Sequence, residues 1–104
     1  MFALVVRFDL ADEAAARAFD GLVAETAPAI RDSEPDTLVY AVHQVEGAPL
    51  ARIFYEVYSS REALDRHESN EPVQRFLTEK DRYVTGVRVE HLGEPTGKGT
   101  SSFG

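Results

Sequence analysis

The residues best suited to chemistry lie between Tyr55 and Phe76, where the chain reads YEVYSSREALDRHESNEPVQRF. His67 stands three residues after Leu64, so both side chains face the same side of the helix predicted there. An imidazole gains or loses a proton near neutral pH, so His67 could act as a general base or donate a hydrogen bond to an oxyanion. A core histidine satisfied by a neighbouring polar group is the competing interpretation.

The neighbouring strands carry the other candidate side chains. Glu56 is expected to lie beside His67 and act with it, unless it is a solvated or dimer-facing carboxylate. Tyr58 and Tyr40 could contact an aromatic substrate, or they could be core residues whose hydroxyls reach water. Strand alternation shows which residues share a face, but it leaves open which face of the third strand meets the helices.

Metal and nucleotide sites have little support in the sequence. A metal site assembled from scattered residues stays an alternative, with the ligands His43, His67, Glu56 and Glu90. The chain has no cysteine, which excludes thiolate nucleophiles, disulfides and Cys-ligated metals. The glycine patterns of nucleotide-binding loops are also absent. The sequence therefore gives no indication of a nucleotide site, and a metal site is the less favoured interpretation.

The elements that must position these residues follow the order β-α-β-β-α-β. Alternating apolar residues predict strands over residues 2–9, 37–45, 50–58 and 84–92. A 3.6-residue apolar period predicts a long helix from Asp12, which Pro28 should kink or end near Ala27, and helical segments over 60–69 and 72–80. This order predicts an α+β, ferredoxin-like fold, an antiparallel sheet with helices on one face. We assign residues 1–92 to this domain and 93–104 to a C-terminal extension.

Both faces of the predicted sheet carry apolar residues. In the second strand Tyr40 and Val42 lie on one face, and Val39 and Ala41 lie on the other. Because the helices can cover one face only, we predict a homodimer packed through its sheet faces. The extension has one large apolar residue, Phe103, which we expect to anchor it against the partner subunit.

The composition of the chain limits the partners it can bind and the cellular location it can have. The chain has 104 residues and a formal net charge of −7, so a nucleic-acid-binding role is improbable. No apolar run approaches the length of a membrane span, and no targeting segment is visible. We predict a cytoplasmic protein, and the excess of arginine over lysine with abundant alanine suggests a GC-rich bacterial genome.

Together these segments resemble the antibiotic biosynthesis monooxygenase family over roughly residues 2–92. The resemblance rests on Tyr55-Glu56-Val57-Tyr58, on the helix motif from Ser60 to His67, and on the aromatic residue Phe76. It implies a dimeric α/β barrel. Characterised members of the family oxidise phenolic or quinol-like molecules with O2 and without metal or flavin, and others degrade haem, isomerise small phosphorylated signals or have no known reaction. The family often has tryptophan where Tyr58 stands.

We therefore predict His67 and Glu56 as catalytic residues, and Tyr58, Tyr40 and Phe76 as residues that bind a small aromatic substrate. The alternative is a non-catalytic dimeric α/β barrel that binds a small ligand or has a structural role. A closed cavity between sheet and helices with His67 facing it would favour the enzyme, and a packed, filled core would favour the alternative.

Overall fold

A computed structural model of the protein describes residues 1–100, so the predicted anchor Phe103 lies outside the described residues. The elements are β1 (Phe2–Leu10), α1 (Glu13–Ser33), β2 (Thr37–Val45), β3 (Ala48–Tyr58), α2 (Arg61–Ser69), α3 (Glu71–Glu79) and β4 (Val84–Leu92). A short 3-10 turn, Lys80–Arg82, joins α3 to β4. The strands form one antiparallel sheet in the order β2-β3-β1-β4. The predicted α+β, ferredoxin-like fold is confirmed.

The helix starts follow the capping residues in the sequence. The Asp12 carboxylate accepts a hydrogen bond from the Ala15 amide at 2.8 Å and begins α1. The Ser60 hydroxyl accepts from the Ala63 amide at 3.1 Å and begins α2. The predicted end of α1 near Ala27 is wrong, because the helix continues past Pro28 to Ser33. Ile30, beyond the proline, is buried, and this burial holds the last turns of α1 against the protein interior.

Four phenylalanines form the centre of the core between the helices and the sheet. Phe8 and Phe54 come from β1 and β3, and their ring centroids are 5.1 Å apart in an edge-on arrangement. The ring centroids of Phe19 in α1 and Phe76 in α3 are 5.5 Å apart, also edge-on, and each ring contacts the strand phenylalanines. Tilted and edge-on contacts at these distances are favourable for aromatic rings. This cluster fixes how far α1 and α3 stand from the sheet.

The strand register arranges helix-facing side chains in rows across the sheet, and three successive rows extend from β2 to β4. The first row contains Tyr40, Glu56, Leu4 and His91. The second row contains Val42, Phe54, Val6 and Val89. The third row contains Gln44, Arg52, Phe8 and Val87. Polar groups that are far apart in the sequence thus meet in the first row.

The opposite face of the sheet carries a second apolar surface that the helices do not cover. Val5, Tyr55 and Ala41 are cross-strand neighbours at its centre, and each is only partly buried.

None of the helices within residues 1–100 combines the length and the apolarity needed to cross a bilayer.

A buried ion pair joins α1 to β3. Arg52 is buried, and its Nε and Nη2 donate to the two carboxylate oxygens of Asp20 at 2.8 and 3.0 Å. Its Nη1 donates to the carbonyl oxygens of Pro49 and Ala51. The hydrogen bond with Asp20 raises the pKa of Arg52, so this guanidinium stays charged inside the fold.

We expect Asp20→Asn to lower the free energy of unfolding by about 2 kcal/mol, measured by urea denaturation. The reason is that the buried guanidinium would lose its counter-charge, although water reaches Asp20, which is 43% exposed, and reduces the loss. Asp65→Asn is the matched control, because it removes an exposed pair with Arg61 and should change stability by less than about 0.5 kcal/mol. Equal losses in the two variants would contradict the structural role of the pair.

Candidate functional site

His67 lies between two buried carboxyl groups. The Ser60 cap starts α2 so that Leu64 and His67 point inward, and the His67 side chain is 7% exposed. Its Nδ1 is 2.7 Å from Oε1 of Glu34, and its Nε2 is 3.7 Å from Oε1 of Glu56. The imidazole therefore connects the end of α1 to the third strand.

Glu34 is the C-cap residue of α1 and is held by three donors. Its Oε1 is also 2.7 Å from the Thr37 hydroxyl, and its Oε2 accepts from the Asn70 amide at 2.7 Å. Burial raises the pKa of Glu34, but the hydrogen bonds from Asn70, Thr37 and His67 outweigh it and the pKa is lowered. Since the ionised carboxylate can only accept, Nδ1 of His67 carries the hydrogen. In the neutral ring, Nε2 then holds the lone pair.

Glu56 shows the opposite behaviour. Burial raises the pKa of Glu56, even though the hydrogen bond from the Tyr58 hydroxyl and the nearby His67 act to lower it. The carboxylates of Glu68 and Glu34 add to the rise. Thus the carboxyl group on the Nδ1 side of His67 ionises more readily than an ordinary glutamate, and the one on the Nε2 side ionises less readily. A substrate oxygen could approach both Nε2 and Glu56, because their 3.7 Å separation exceeds a direct hydrogen bond.

The two predicted tyrosines have different positions. Tyr40 lines the cavity described below, and its ring centroid lies 5.4 Å from that of His67. Tyr58 is fully buried behind Glu56, and its ring lies 5.2 Å from His67. Burial and the charge of Glu56 raise the pKa of both tyrosines, so both remain neutral hydroxyl donors.

A cavity of about 720 Å³ lies between the helix-facing side of β1, β3 and β4 and the helices α2 and α3. It is not closed as predicted, because it opens to solvent along β4, where Val87, Val89 and Leu92 are exposed. This volume is in the range of small-molecule sites. Glu56, His67, Tyr40 and His91 line one end. The rest of the wall is mostly apolar, with Val6, Phe8, Phe54, Val73 and Phe76. A separate polar pocket of about 350 Å³, lined in part by Asn70 and Arg66, reaches Glu34 from the other side.

The structure brings four of the five predicted site residues to the cavity wall, namely His67, Glu56, Tyr40 and Phe76. Tyr58 is the exception, since it contacts Glu56 and lies behind the wall. Glu34 was missed, because an acidic residue between a helix end and Pro35 has the ordinary pattern of a solvated loop. Its signal becomes visible only when the end of α1 is placed against α2.

The alternative metal ligands do not come together. His43 pairs with Ile53 and Glu90 pairs with Val5, so both lie on the sheet face opposite Glu56. Within residues 1–100 there is no group of three or more histidine, aspartate or glutamate side chains arranged to hold a metal ion.

Solved structures from several bacteria share this fold. A Caulobacter crescentus protein that carries the name of the antibiotic biosynthesis monooxygenases is 21% identical, with 88% of this chain and 86% of that chain covered and a TM-score of 0.82. Rv0793 from Mycobacterium tuberculosis is 22% identical, with coverages of 94% and 97% and a TM-score of 0.82. SO0527 from Shewanella oneidensis is 21% identical, with coverages of 88% and 87% and a TM-score of 0.79. The similarity at these identities concerns the fold.

The sequence profile of one family matches most of the chain. No curated protein matches this chain significantly. The profile described as "Antibiotic biosynthesis monooxygenase" matches residues 1–79, which include β1 to β3, α2 and the candidate residues of the cavity. This chain therefore belongs to the antibiotic biosynthesis monooxygenase family.

Proposed function

We propose that the protein is a monooxygenase that oxidises a small phenolic or quinol-like molecule with O2, without a metal or an organic cofactor. The observation that carries the proposal is the hydrogen bond between Glu34 and Nδ1 of His67. It leaves the Nε2 lone pair beside Glu56 at the wall of an apolar cavity. A proton acceptor in such a place suits the deprotonation of a phenol.

In the first step, Nε2 of His67 takes the proton of the substrate hydroxyl. The imidazolium that forms is stabilised by the ionised Glu34, which keeps its hydrogen bond to Nδ1. The Tyr40 hydroxyl is then available as a donor to the substrate oxyanion. Burial raises the pKa of Tyr40, so its hydroxyl keeps the hydrogen that it donates.

In the second step, the electron-rich anion reacts with O2 at a ring carbon and forms a carbon–oxygen bond. The His67 imidazolium returns its proton to the peroxide anion, and loss of water from the resulting hydroperoxide breaks the O–O bond and leaves a carbonyl at that carbon. The overall reaction converts a ring CH2 group, or the ring C–H of the phenolic tautomer, and O2 to a carbonyl product and water, and the substrate supplies all the electrons. The apolar walls formed by Phe54, Phe76 and Val73 would exclude water from the anion.

The same proposal includes a homodimer packed through the sheet faces. Val5, Ala41 and Tyr55 form an apolar centre that the helices leave uncovered. A second copy about a two-fold axis would bury this centre, and the shared interface should exceed about 1,000 Å² in total.

We expect His67→Gln to abolish O2 consumption with naphthohydroquinones and hydroxyanthrones, followed with an oxygen electrode. Glutamine can still donate to Glu34, so the melting temperature should change little, but it cannot accept a proton at neutral pH. His43→Gln, on the opposite face of the sheet, is the control and should retain the wild-type rate. With ¹⁸O2, one labelled atom should appear in the product.

The alternative of a binding protein without catalysis predicts a different outcome. The same compounds would raise the melting temperature of the wild type, but none would consume O2 above the rate of its spontaneous oxidation. This result would contradict the monooxygenase proposal while leaving the cavity as a binding site.

We expect Glu34→Gln to lower kcat by about tenfold to a hundredfold with little change in KM, since Nδ1 would no longer face a fixed anion.

The pH dependence of the melting temperature provides a second test of Glu34. Because the pKa of Glu34 is lowered in the fold, its stabilisation is present above the unfolded-state pKa and is lost as pH falls. The melting temperature of the wild type should exceed that of Glu34→Gln most at neutral pH and least near pH 3. Asp32→Asn, an exposed change in the same helix turn, should show neither effect.

We expect the wild type to sediment as a dimer at micromolar concentration and Tyr55→Glu to sediment as a folded monomer. A buried glutamate at the centre of the interface would cost more than the association provides. Gln44→Glu, the same charge change on the helix-facing side of β2, should remain dimeric. A monomeric wild type would contradict this part of the proposal.

A further inference from the structure

Lys80 is a positively charged residue in the wall of the otherwise mostly apolar part of the cavity. It begins the 3-10 turn after α3, and its side chain is only 15% exposed. Its Nζ lies 5.8 Å from the centroid of the Phe8 ring, over the third row of the sheet. Lysines usually extend their ammonium group into water, so a lysine side chain that is only 15% exposed at a cavity wall is unusual.

The protein itself satisfies this ammonium only in part. Nζ donates to Asp81 at 2.8 Å, but Asp81 is 74% exposed and therefore well solvated. An ammonium has three N–H donors, so two remain for other acceptors at the cavity wall. The position of Nζ over the Phe8 ring adds a modest cation–π attraction, which does not use these N–H donors.

The charged groups in the cavity wall differ between its two ends, which are separated along the strands. Leu4 and Phe8 are four residues apart on β1, which is about 13 Å along the strand. Glu56, in the first row beside Leu4, marks the end with His67, and Lys80 marks the end with Phe8. Glu68 also lines the cavity near the first row, and so does Arg61, which lies over the Phe2 ring and pairs with Asp65. The carboxyl groups of Glu56 and Glu68 disfavour an anionic group beside His67, and Lys80 attracts such a group to the other end.

We infer that Lys80 binds a carboxylate on the substrate and thereby orients the molecule, with its reacting hydroxyl at His67. The substrate class is then a phenol or quinol of one to a few rings that carries a carboxylate on the end remote from the hydroxyl. The assignment of the reacting end rests on the proposed function, whereas the carboxylate contact is a statement about binding. Lys80 would recognise the carboxylate through charge-assisted hydrogen bonds. The apolar surface of Phe54 and Phe76 would recognise the aromatic rings.

A matched pair of fluorescent probes tests this inference without turnover. 6-Hydroxy-2-naphthoate and its methyl ester differ by one charge, and their Kd values are measured by fluorescence titration under nitrogen. The wild type should bind the carboxylate at least about tenfold more tightly than the ester. Lys80→Met should lose this preference, with little change in Kd for the ester, and Lys80→Arg should keep it. Asp81→Asn should strengthen carboxylate binding, because a competing anion is removed.

Arg82→Met is the control, since it removes an exposed positive charge from the same turn and should leave both Kd values unchanged. Equal weakening of both probes in Lys80→Met, an unchanged preference in that variant, or no binding of either probe to the wild type would overturn the inference. Oxygen uptake is measured separately on the same proteins. A carboxylate preference that depends on Lys80 without any O2 uptake would support the inference and contradict the monooxygenase proposal.

Discussion

The hydrogen bond between Glu34 and His67 is the contact on which the geometry of the site depends. Glu34 ends α1, Thr37 begins β2, and Asn70 lies between α2 and α3, and all of them meet at one carboxylate. The same anion that gathers these elements determines which nitrogen of His67 faces the cavity. Glu34 thus has a structural role, which its hydrogen bonds to Thr37 and Asn70 carry, and a proposed chemical role, which its hydrogen bond to His67 carries.

The two carboxyl groups beside His67 have opposite effects on stability. The pKa of Glu56 is raised by burial, so its contribution to stability is present below the unfolded-state pKa and is lost as pH rises through the folded-state pKa. At neutral pH the buried Glu56 is therefore a cost, and the lowered pKa of Glu34 acts in the opposite sense. The four-phenylalanine cluster and the Arg52–Asp20 pair lie outside this group and help to offset that cost. An unfavourable carboxyl group at a cavity wall is typical of residues kept for function.

The sequence predicted the elements well because their signals are local. Alternation in the strands and the caps Asp12 and Ser60 depend only on neighbouring residues, and they placed His67 on the inward face of α2. Pro28 misled the prediction of the α1 end, because the burial of Ile30 outweighs one missing hydrogen bond.

Residues whose role depends on register or on packing between distant segments could not be predicted in the same way. The face of β3 that meets the helices was open until its register with β1 placed Glu56 opposite Leu4. Glu34 and Lys80 each lie at the end of a helix, where acidic and basic residues are common on solvated surfaces. Only the packing of α1 against α2, and of the turn after α3 over Phe8, distinguishes them from such residues.

The most direct test of the account is the ¹⁵N NMR spectrum of the His67 ring in the protein labelled on histidine. Spectra are recorded over a series of pH values, with assignment by comparison with His67→Gln. Once the ring is neutral, we expect it to be protonated at Nδ1 and unprotonated at Nε2. In Glu34→Gln this single tautomer should give way to a mixture. A ring protonated at Nε2 and unprotonated at Nδ1 in the wild type would contradict the proposed base, because the lone pair would then face Glu34 instead of the cavity.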